Sequence, residues 1–564
     1  MRNIYLTALV MSAMFMSASC SLDEVSYLTD ESHVTDAYTA ESLLLGVYEK
    51  LGTDGIYRNN LPFIFNLPND ESKTSGEGLT AQRTDMSNAF TASSSYVQLT
   101  WQSLYAAIYY ANYFIDVVER KSPSFSEKDR QLCEYYIAEA CALRALLYFE
   151  LVRWYGNVPL VLSPDESYRK PEEFRQAAPT EVYAQIEKDL KYAIGVLPYA
   201  GEDKVRKDNS FRISKGGALG LLTKVYATWA GYPLKDESKW EQAALTAQTL
   251  IDSGHHGLLK DFQQLWHNSG SNTWDPTESL WEISYWSPLS TFESCGRVGM
   301  VNGVRATQGG LRGGNHTHQV MYNFHPTFLT RWKDYDKDLR FGLTYADYSY
   351  KKDGKSCITK KNSEDVPFLR AWLGKETDPK WQENWRFEAS YLLTNRKWDT
   401  EMYVPDYNNQ VNSNYSNVNW YLLRYADVLL LYAEALNEWK KAPDADAFEA
   451  VNMVRRRGFG LDVNTPSSVA DLPSYLDYAG FQQAIRDERS WELAAEGHRR
   501  QDLVRWGIYY EAVMDTYNSL ADWYKNAQRY FIGGEYTQKD KHELLPIPQR
   551  EIDLCGYKQN KGWY

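Results

Sequence analysis

The chain has 564 residues, 43% of them hydrophobic, and a formal net charge of −13. That is ample for a large packed core, and the acidic balance argues against a nucleic-acid binder, which needs a basic footprint to meet phosphates. Six cysteines with no CxxC pair and no Cys/His cluster argue against a disulfide scaffold and a structural zinc site.

The amino end begins with Met1-Arg2-Asn3, which carries one positive charge, followed by a mainly apolar run from Ile4 to Met16. Ser17-Ala18-Ser19 then leads into Cys20. This is a secretory signal in shape and too short for a spanning helix. The small-residue run ending in Cys resembles a lipoprotein signal, in which cleavage before Cys20 leaves its thiol for diacylglycerol. Ser17 stands where such signals usually carry Leu, so a plain signal peptide with a cysteine nearby stays open as the other reading. Ser21-Leu22-Asp23-Glu24 supplies acidic residues after the cysteine, as surface-export signals of such lipoproteins do. The expected division is a signal peptide over 1–19 and one domain over 20–564. No other segment approaches about 18 consecutive apolar residues.

Helical periodicity then dominates. It predicts helices over 34–51, 96–119, 127–155, 180–196, 214–230, 238–252, 424–439, 445–457 and 478–506. Amphipathic helices in consecutive pairs suggest a tetratricopeptide-like solenoid, although no clean repeat of about 34 residues is present. In 127–155 the apolar positions, among them Leu132, Tyr136, Leu143, Leu147 and Trp154, cover more than half the circumference. Such a helix must be covered on two sides. Gly156 suits a left-handed residue past its end, and Pro159 prevents continuation. Cys133 and Cys141 lie on this helix about 12 Å apart along its axis, too far to bridge. Ala426, Ala433 and Ala435 let a partner helix approach 424–439 closely. Residues 254–420 read as a loop-rich insertion between scaffold segments 34–253 and 421–564, and binding surfaces usually sit on such loops.

Six segments resemble the SusD/RagB family. They are AEACALRALLYFELVRWYGNVPL (138–160), PTEVYAQIEKDL (179–190), RISKGGALGLLTKVY (212–226), RYADVLLLYAEALNE (424–438) continuing in VNMVRRR (451–457), AIRDERSWELAAEGHRRQDLVRW (484–506), and the end from Leu545-Pro546-Ile547-Pro548 to Gln559-Asn560. They follow the family order, and the weakly matching stretch is about 265–420, where the family itself varies. The resemblance implies a mainly α fold: a tetratricopeptide-like helical-pair scaffold with a large irregular loop-rich insertion. It also implies one glycan-binding face, a lipid anchor at the outer-membrane surface, and pairing with a SusC-like TonB-dependent channel on which the lipoprotein sits like a lid. No cofactor is implied.

The motifs themselves look structural. In 484–506 the pairs Arg489/Glu492, Arg499/Asp502 and Glu496/Arg500 sit three or four apart, which places opposite charges on neighbouring turns. Glu488 and Glu492 could be imagined as an acid/base pair, but arginines within reach of both keep carboxylates ionised, which suits an ion network. Arg424, Asp427 and Glu434 read the same way. His316 and His318 lack an evident third metal ligand. His255-His256 stands at a helix end, where imidazole can face terminal carbonyls. Gly309 to Gly314 is glycine-rich without the Gly-Lys-Ser/Thr of a phosphate loop. No catalytic residue and no metal site is expected.

Sugar recognition combines a flat aromatic face with side chains that hydrogen-bond hydroxyls. Two segments supply that mix outside the scaffold motifs: 57–90, with Asp70 and Arg83, and 266–312, with Trp274, Tyr285, Trp286, Arg297 and Arg312. By resemblance, the family places its binding face on loops from these regions. Arg370, beside Trp372, is a third candidate. Trp281, Ile283 and Tyr285 alternate, so a strand could bury all three and leave Glu282 and Trp286 outward. The arginines of 297–312 fit an anionic glycan or simple balancing of nearby acids. Two other classes remain: an all-helical secreted glycosidase or lyase, with Glu278, Glu282 and Glu293 as its carboxylates, and an adaptor that holds protein partners only.

Overall fold

The computed structural model describes residues 31–76, 78–206, 210–286, 295–307, 320–352, 357–361, 393–405, 415–523 and 527–564. Helices start where short polar side chains satisfy their first N–H groups. Before α1 (Ala37–Leu51), Asp36 accepts from Thr39 N at 2.9 Å, and the Thr39 hydroxyl oxygen accepts in turn from Asp36 N at 3.1 Å. Ser94 caps α2 (Ser95–Lys121) and Ser126 caps α3 (Glu127–Tyr155). The chain is buried almost without break from Tyr136 to Val152, because α2 packs on one side of α3 and α4 (Pro179–Val196) on the other. Gly156 ends α3 with φ +71°, as expected.

The stack continues through α5 (Lys215–Ala230) and α6 (Lys239–Asp252), each packed on its predecessor. The chain leaves it through α7 (Phe262–Gly270) and the insertion, then returns as α8 (Tyr425–Lys440), which packs on α6. Ala426, Ala433 and Ala435 are fully buried at the contacts of α8. α9 (Ala445–Gly458) and α10 (Tyr478–Glu492) pack on α8 in turn. The architecture is mainly α and tetratricopeptide-like, and the described strands are short. β1 (Ser72–Thr74), β2 (Ser279–Ile283), β3 (Tyr322–Phe324) and β4 (Trp420–Arg424) pair antiparallel, β1 with β3 and β2 with β4. The β2–β4 pair closes the insertion at its base, because β4 runs directly into α8. Cys133, Cys141, Cys295 and Cys555 are free thiols.

Two expectations for 478–506 need correction. The helix is broken: α10 ends at Glu492, and α11 (Arg499–Arg505) begins after an unwound turn with Ala495 at φ +60° and Gly497 at φ +80°. Lys397 holds that turn from the insertion, its Nζ donating to Glu492 O at 2.8 Å, Ala494 O at 3.0 Å and Glu496 Oε1 at 2.7 Å. The expected local ion pairs are also replaced by long-range ones. Glu492 accepts from Arg340 at 3.0 Å, Arg424 at 2.9 Å and Arg457 at 2.6 Å. Arg489 bonds Asp427 at 2.8 Å and Asp502 at 2.9 Å.

Around Glu492, five cations (Arg340, Lys397, Arg424, Arg455, Arg457) and five carboxylates (Glu278, Asp338, Glu488, Glu492, Glu496) form one connected, charge-balanced network. It ties α9 and α10 to the end of β4, to Glu278 just before β2, and to Asp338, Arg340 and Lys397 of the insertion. Burial alone would raise the Glu492 carboxyl, but Arg457, Arg424 and Arg340 outweigh it and hold it down at about 2.

Candidate functional site

The site begins where α1 ends. Past Leu51 the chain turns into an irregular segment carrying Arg58 and Asn59, with a π-helical turn over Asn60–Ile64. From the other side β2 delivers Ser284, Tyr285 and Trp286. The two predicted segments meet here: Arg297 Nη1 donates to Asn59 Oδ1 at 2.8 Å. Tyr285 fills the seam. A Cβ on Gly52 would stand 3.4 Å from its ring, and one on Gly296 would stand 2.5 Å from it, so only glycine fits at 296.

Asn419, buried on the approach to β4, organises the neighbouring loop. Its Oδ1 accepts from Tyr285 N at 3.1 Å, and its Nδ2 donates to Asn272 Oδ1 at 3.0 Å. Asn272 Oδ1 also accepts from Ser284 Oγ at 2.8 Å. The loop that carries Trp274 is therefore tied to the strand end that carries Trp286. Trp286 is 39% exposed and Trp274 is half-buried. The result is a framework of amides and backbone with the Trp286 indole presented to solvent and Trp274 on the loop tied to it, while Arg297 is bonded to Asn59 past the end of α1. Such a surface can stack a ring and hydrogen-bond its substituents.

The remaining candidates fall in different places. Arg83 is half-buried on the short helix Ala81–Asp85. Together with burial, the larger effect, its charge pulls the buried Lys73 ammonium down to about 7. Asp70 is a correction. It is 2% exposed, and its carboxylate accepts from Arg499 at 2.7 and 2.8 Å and from Arg331 at 3.3 Å. Burial opposes its ionisation, but the two guanidinium groups outweigh burial and hold it well below the usual carboxylate range. Tyr285 is the second correction: at 1% exposed it is a wall of the site and has no face to offer a ligand. Arg312, Arg370, Trp372, Cys20, Glu293, His316, His318 and the Gly309–Gly314 stretch lie outside the described residues. His255 stacks on Tyr199 at 4.2 Å, and His256 Nδ1 meets Pro276 O at 2.7 Å.

Two of the three carboxylates weighed for hydrolysis are described, and both are interior. Glu278 accepts from Arg424 at 2.7 Å, Arg457 at 3.0 Å and Leu259 N at 2.7 Å. Glu282, expected to face outward from the strand, is 2% exposed, because the strand is covered on both faces. Burial pushes its carboxyl up to about 8. An internal cavity lies between α3, α5 and the β2–β4 pair, lined in part by Trp154, Trp281 and Trp420. Its charged groups are already engaged. Glu150 accepts from Tyr57, Arg153 and Trp154, and Lys224 donates to Asp427 at 3.0 Å beside His498. Among the described residues there is no metal-ready group of three His, Cys, Asp or Glu, and no helix long and apolar enough to cross a membrane.

Sequence and structure comparisons agree with one another. The profile of the SusD family matches residues 263–563, and a profile described as starch-binding associating with outer membrane matches residues 22–227. SusD-like protein P25 of Formosa agariphila is 26% identical over 476 residues, covering 81% of this chain and 76% of the relative. A solved SusD homolog from Bacteroides thetaiotaomicron is 46% identical, with a TM-score of 0.87, and covers 94% of this chain and 98% of its own. A solved laminarin-binding SusD-like protein is 24% identical, with a TM-score of 0.65 and coverage of 93% and 99%.

Proposed function

The chain belongs to the SusD family, and on that premise we propose that it is a surface glycan-binding lipoprotein that captures oligosaccharides and delivers them to a SusC-like TonB-dependent outer-membrane channel. Residues 20–564 form its glycan-binding domain, Cys20 is its lipid attachment point, and it carries out no bond cleavage. The observation that supports this best is the contact of Arg297 with Asn59 past the end of α1, together with an exposed Trp286 just past the end of β2. Trp274, Trp286 and Arg297 are the proposed ligand contacts at this place, with Arg83, Arg312 and Arg370 added from the sequence alone. Stacking and hydroxyl hydrogen bonds hold the sugar here. Closing lid against channel buries it between two proteins, and the energy for transport comes from the channel's partner across the periplasm.

Calorimetry against a panel of plant, fungal and host oligosaccharides tests the site. The wild type is expected to bind at least one member, and Trp286→Ala to weaken that binding about tenfold or more. Equal affinity of the variant would remove Trp286 from the site. Products shortened during incubation would point to the glycosidase reading instead. The anchor has its own test: metabolic labelling with a fatty acid should mark the wild type and leave Cys20→Ala unlabelled.

A further inference from the structure

Trp286 stands past the end of β2, where side chains take over from the sheet in holding the backbone. The β2–β4 ladder ends with Ile283 opposite Trp420. Beyond that pair, Tyr285 N donates to Asn419 Oδ1 at 3.1 Å, and Trp286 N donates to Ser284 Oγ at 3.3 Å. Ser284 Oγ passes its own proton toward Asn272 Oδ1 at 2.8 Å, and Asn419 Nδ2 donates to the same oxygen at 3.0 Å.

The directions of these bonds are consistent. A hydroxyl accepts and donates at once, and an amide oxygen can accept twice. The chain Trp286–Ser284–Asn272–Asn419 therefore runs unbroken from an exposed residue to a fully buried one. Asn419 is itself fixed, since its N donates to Ser269 O at 3.1 Å and its O accepts from Ser269 Oγ at 2.7 Å, both at the end of α7. Hydrogen bonds in such a chain polarise and strengthen one another. Asn272 is the central link. It is half-buried at φ +52°, a left-handed conformation that asparagine tolerates and glycine adopts freely. The amide is what separates those two residues here, because its oxygen joins the strand exit to Asn419.

We propose that Asn272 is a positioning residue for the glycan: through Ser284 it holds the Trp286 backbone so that the indole faces a sugar ring. This rests on the glycan-binding reading above and adds to it a residue that acts through another. The competing account is that burial of the Tyr285 side chain alone places Trp286, in which case the amide is dispensable.

A double-mutant cycle decides between them, by calorimetry on the whole chain with the tightest-binding oligosaccharide of the panel. Asn272→Gly suits the backbone and removes the amide. It is expected to weaken binding about five- to tenfold. Trp286→Ala, about tenfold in the wild type, should then cost less than about twofold in the Asn272→Gly background. Ser284→Ala cuts the same chain without touching the Trp274 loop, and it is expected to shrink the Trp286→Ala effect likewise. Asn272→Asp still accepts from both donors, so it should restore most of the affinity lost in Asn272→Gly. An undiminished Trp286→Ala effect in the Asn272→Gly background overturns the positioning role and leaves the glycan face standing. An Asn272→Asp variant that binds as weakly as Asn272→Gly does the same. A wild type that binds no oligosaccharide, or whose binding ignores Trp286→Ala, overturns the Trp286 face and the positioning role together.

Discussion

Glu492→Gln is expected to lower the free energy of unfolding by about 3–5 kcal/mol at pH 7, the cost of breaking a buried ion pair from one side. The substitution keeps the side-chain shape and removes only the charge, so packing cannot account for the loss. Glu492 sits among Arg340, Arg424 and Arg457, and it is fully buried. Without its charge the network of five cations and five carboxylates keeps a surplus positive charge in the interior, out of reach of solvent. Arg120 gives the contrast. It pairs with Glu31 at 2.9 Å and Asp116 at 2.8 Å, but half of it faces water, so Arg120→Ala should change stability by no more than about 0.5 kcal/mol. Denaturant titrations of the two variants would separate the cases. Near-equal losses would mean that the buried network holds no more than a surface pair does.

The same residues show what was legible in the sequence. Helix bounds followed from local signals: apolar spacing, Ser and Asp caps, and a glycine past the end of α3. The charge density of 484–506 announced an ion network, yet its wiring was not local. Partners of Glu492 come from α9, from β4 and from the insertion at Arg340, and periodicity carries no information about them. The break after Glu492 was hidden for the same reason, since the group that satisfies the unwound carbonyls is Lys397, nearly a hundred residues away. The helix Tyr509–Trp523 was also missed. At the site, composition picked out two segments that do converge, but it could not tell an outward aromatic from an inward one. Alternation along β2 put Trp286 outside and Tyr285 inside, as the structure has them, yet it sent Glu282 outward because it assumed one wet face. Asp70 looked like a sugar ligand only because its partners, Arg331 and Arg499, lie 261 and 429 residues away.

Glu282→Gln should have the opposite sign to Glu492→Gln. Glu282 lies in β2 opposite Tyr421, fully buried, with the uncharged Ser279 and Asn419 as polar neighbours and Asp275 as a further negative charge. Burial, the largest influence, pushes its carboxyl up to about 8, so the folded protein keeps it protonated at neutral pH. An unfolded chain ionises it near its ordinary value. Between those two limits the folded state binds the extra proton, so wild-type stability falls as pH rises from about 4.5 to 8 and is flat beyond. Glutamine mimics the protonated acid and cannot ionise. The variant should match the wild type near pH 5 and exceed it by several kcal/mol at pH 9. Glu492 works the other way: its carboxyl is held at about 2, so its contribution is complete above pH 5 and disappears as pH falls from about 4.5 to 2. Unfolding free energies measured from pH 3 to 9 should therefore show the Glu282→Gln curve rising above the wild type with alkalinity and the Glu492→Gln curve approaching it with acidity. A Glu282→Gln variant that loses stability at pH 9 would mean that this carboxyl is ionised and partnered in the fold, and the account of β2 as a strand covered on both faces would have to be abandoned.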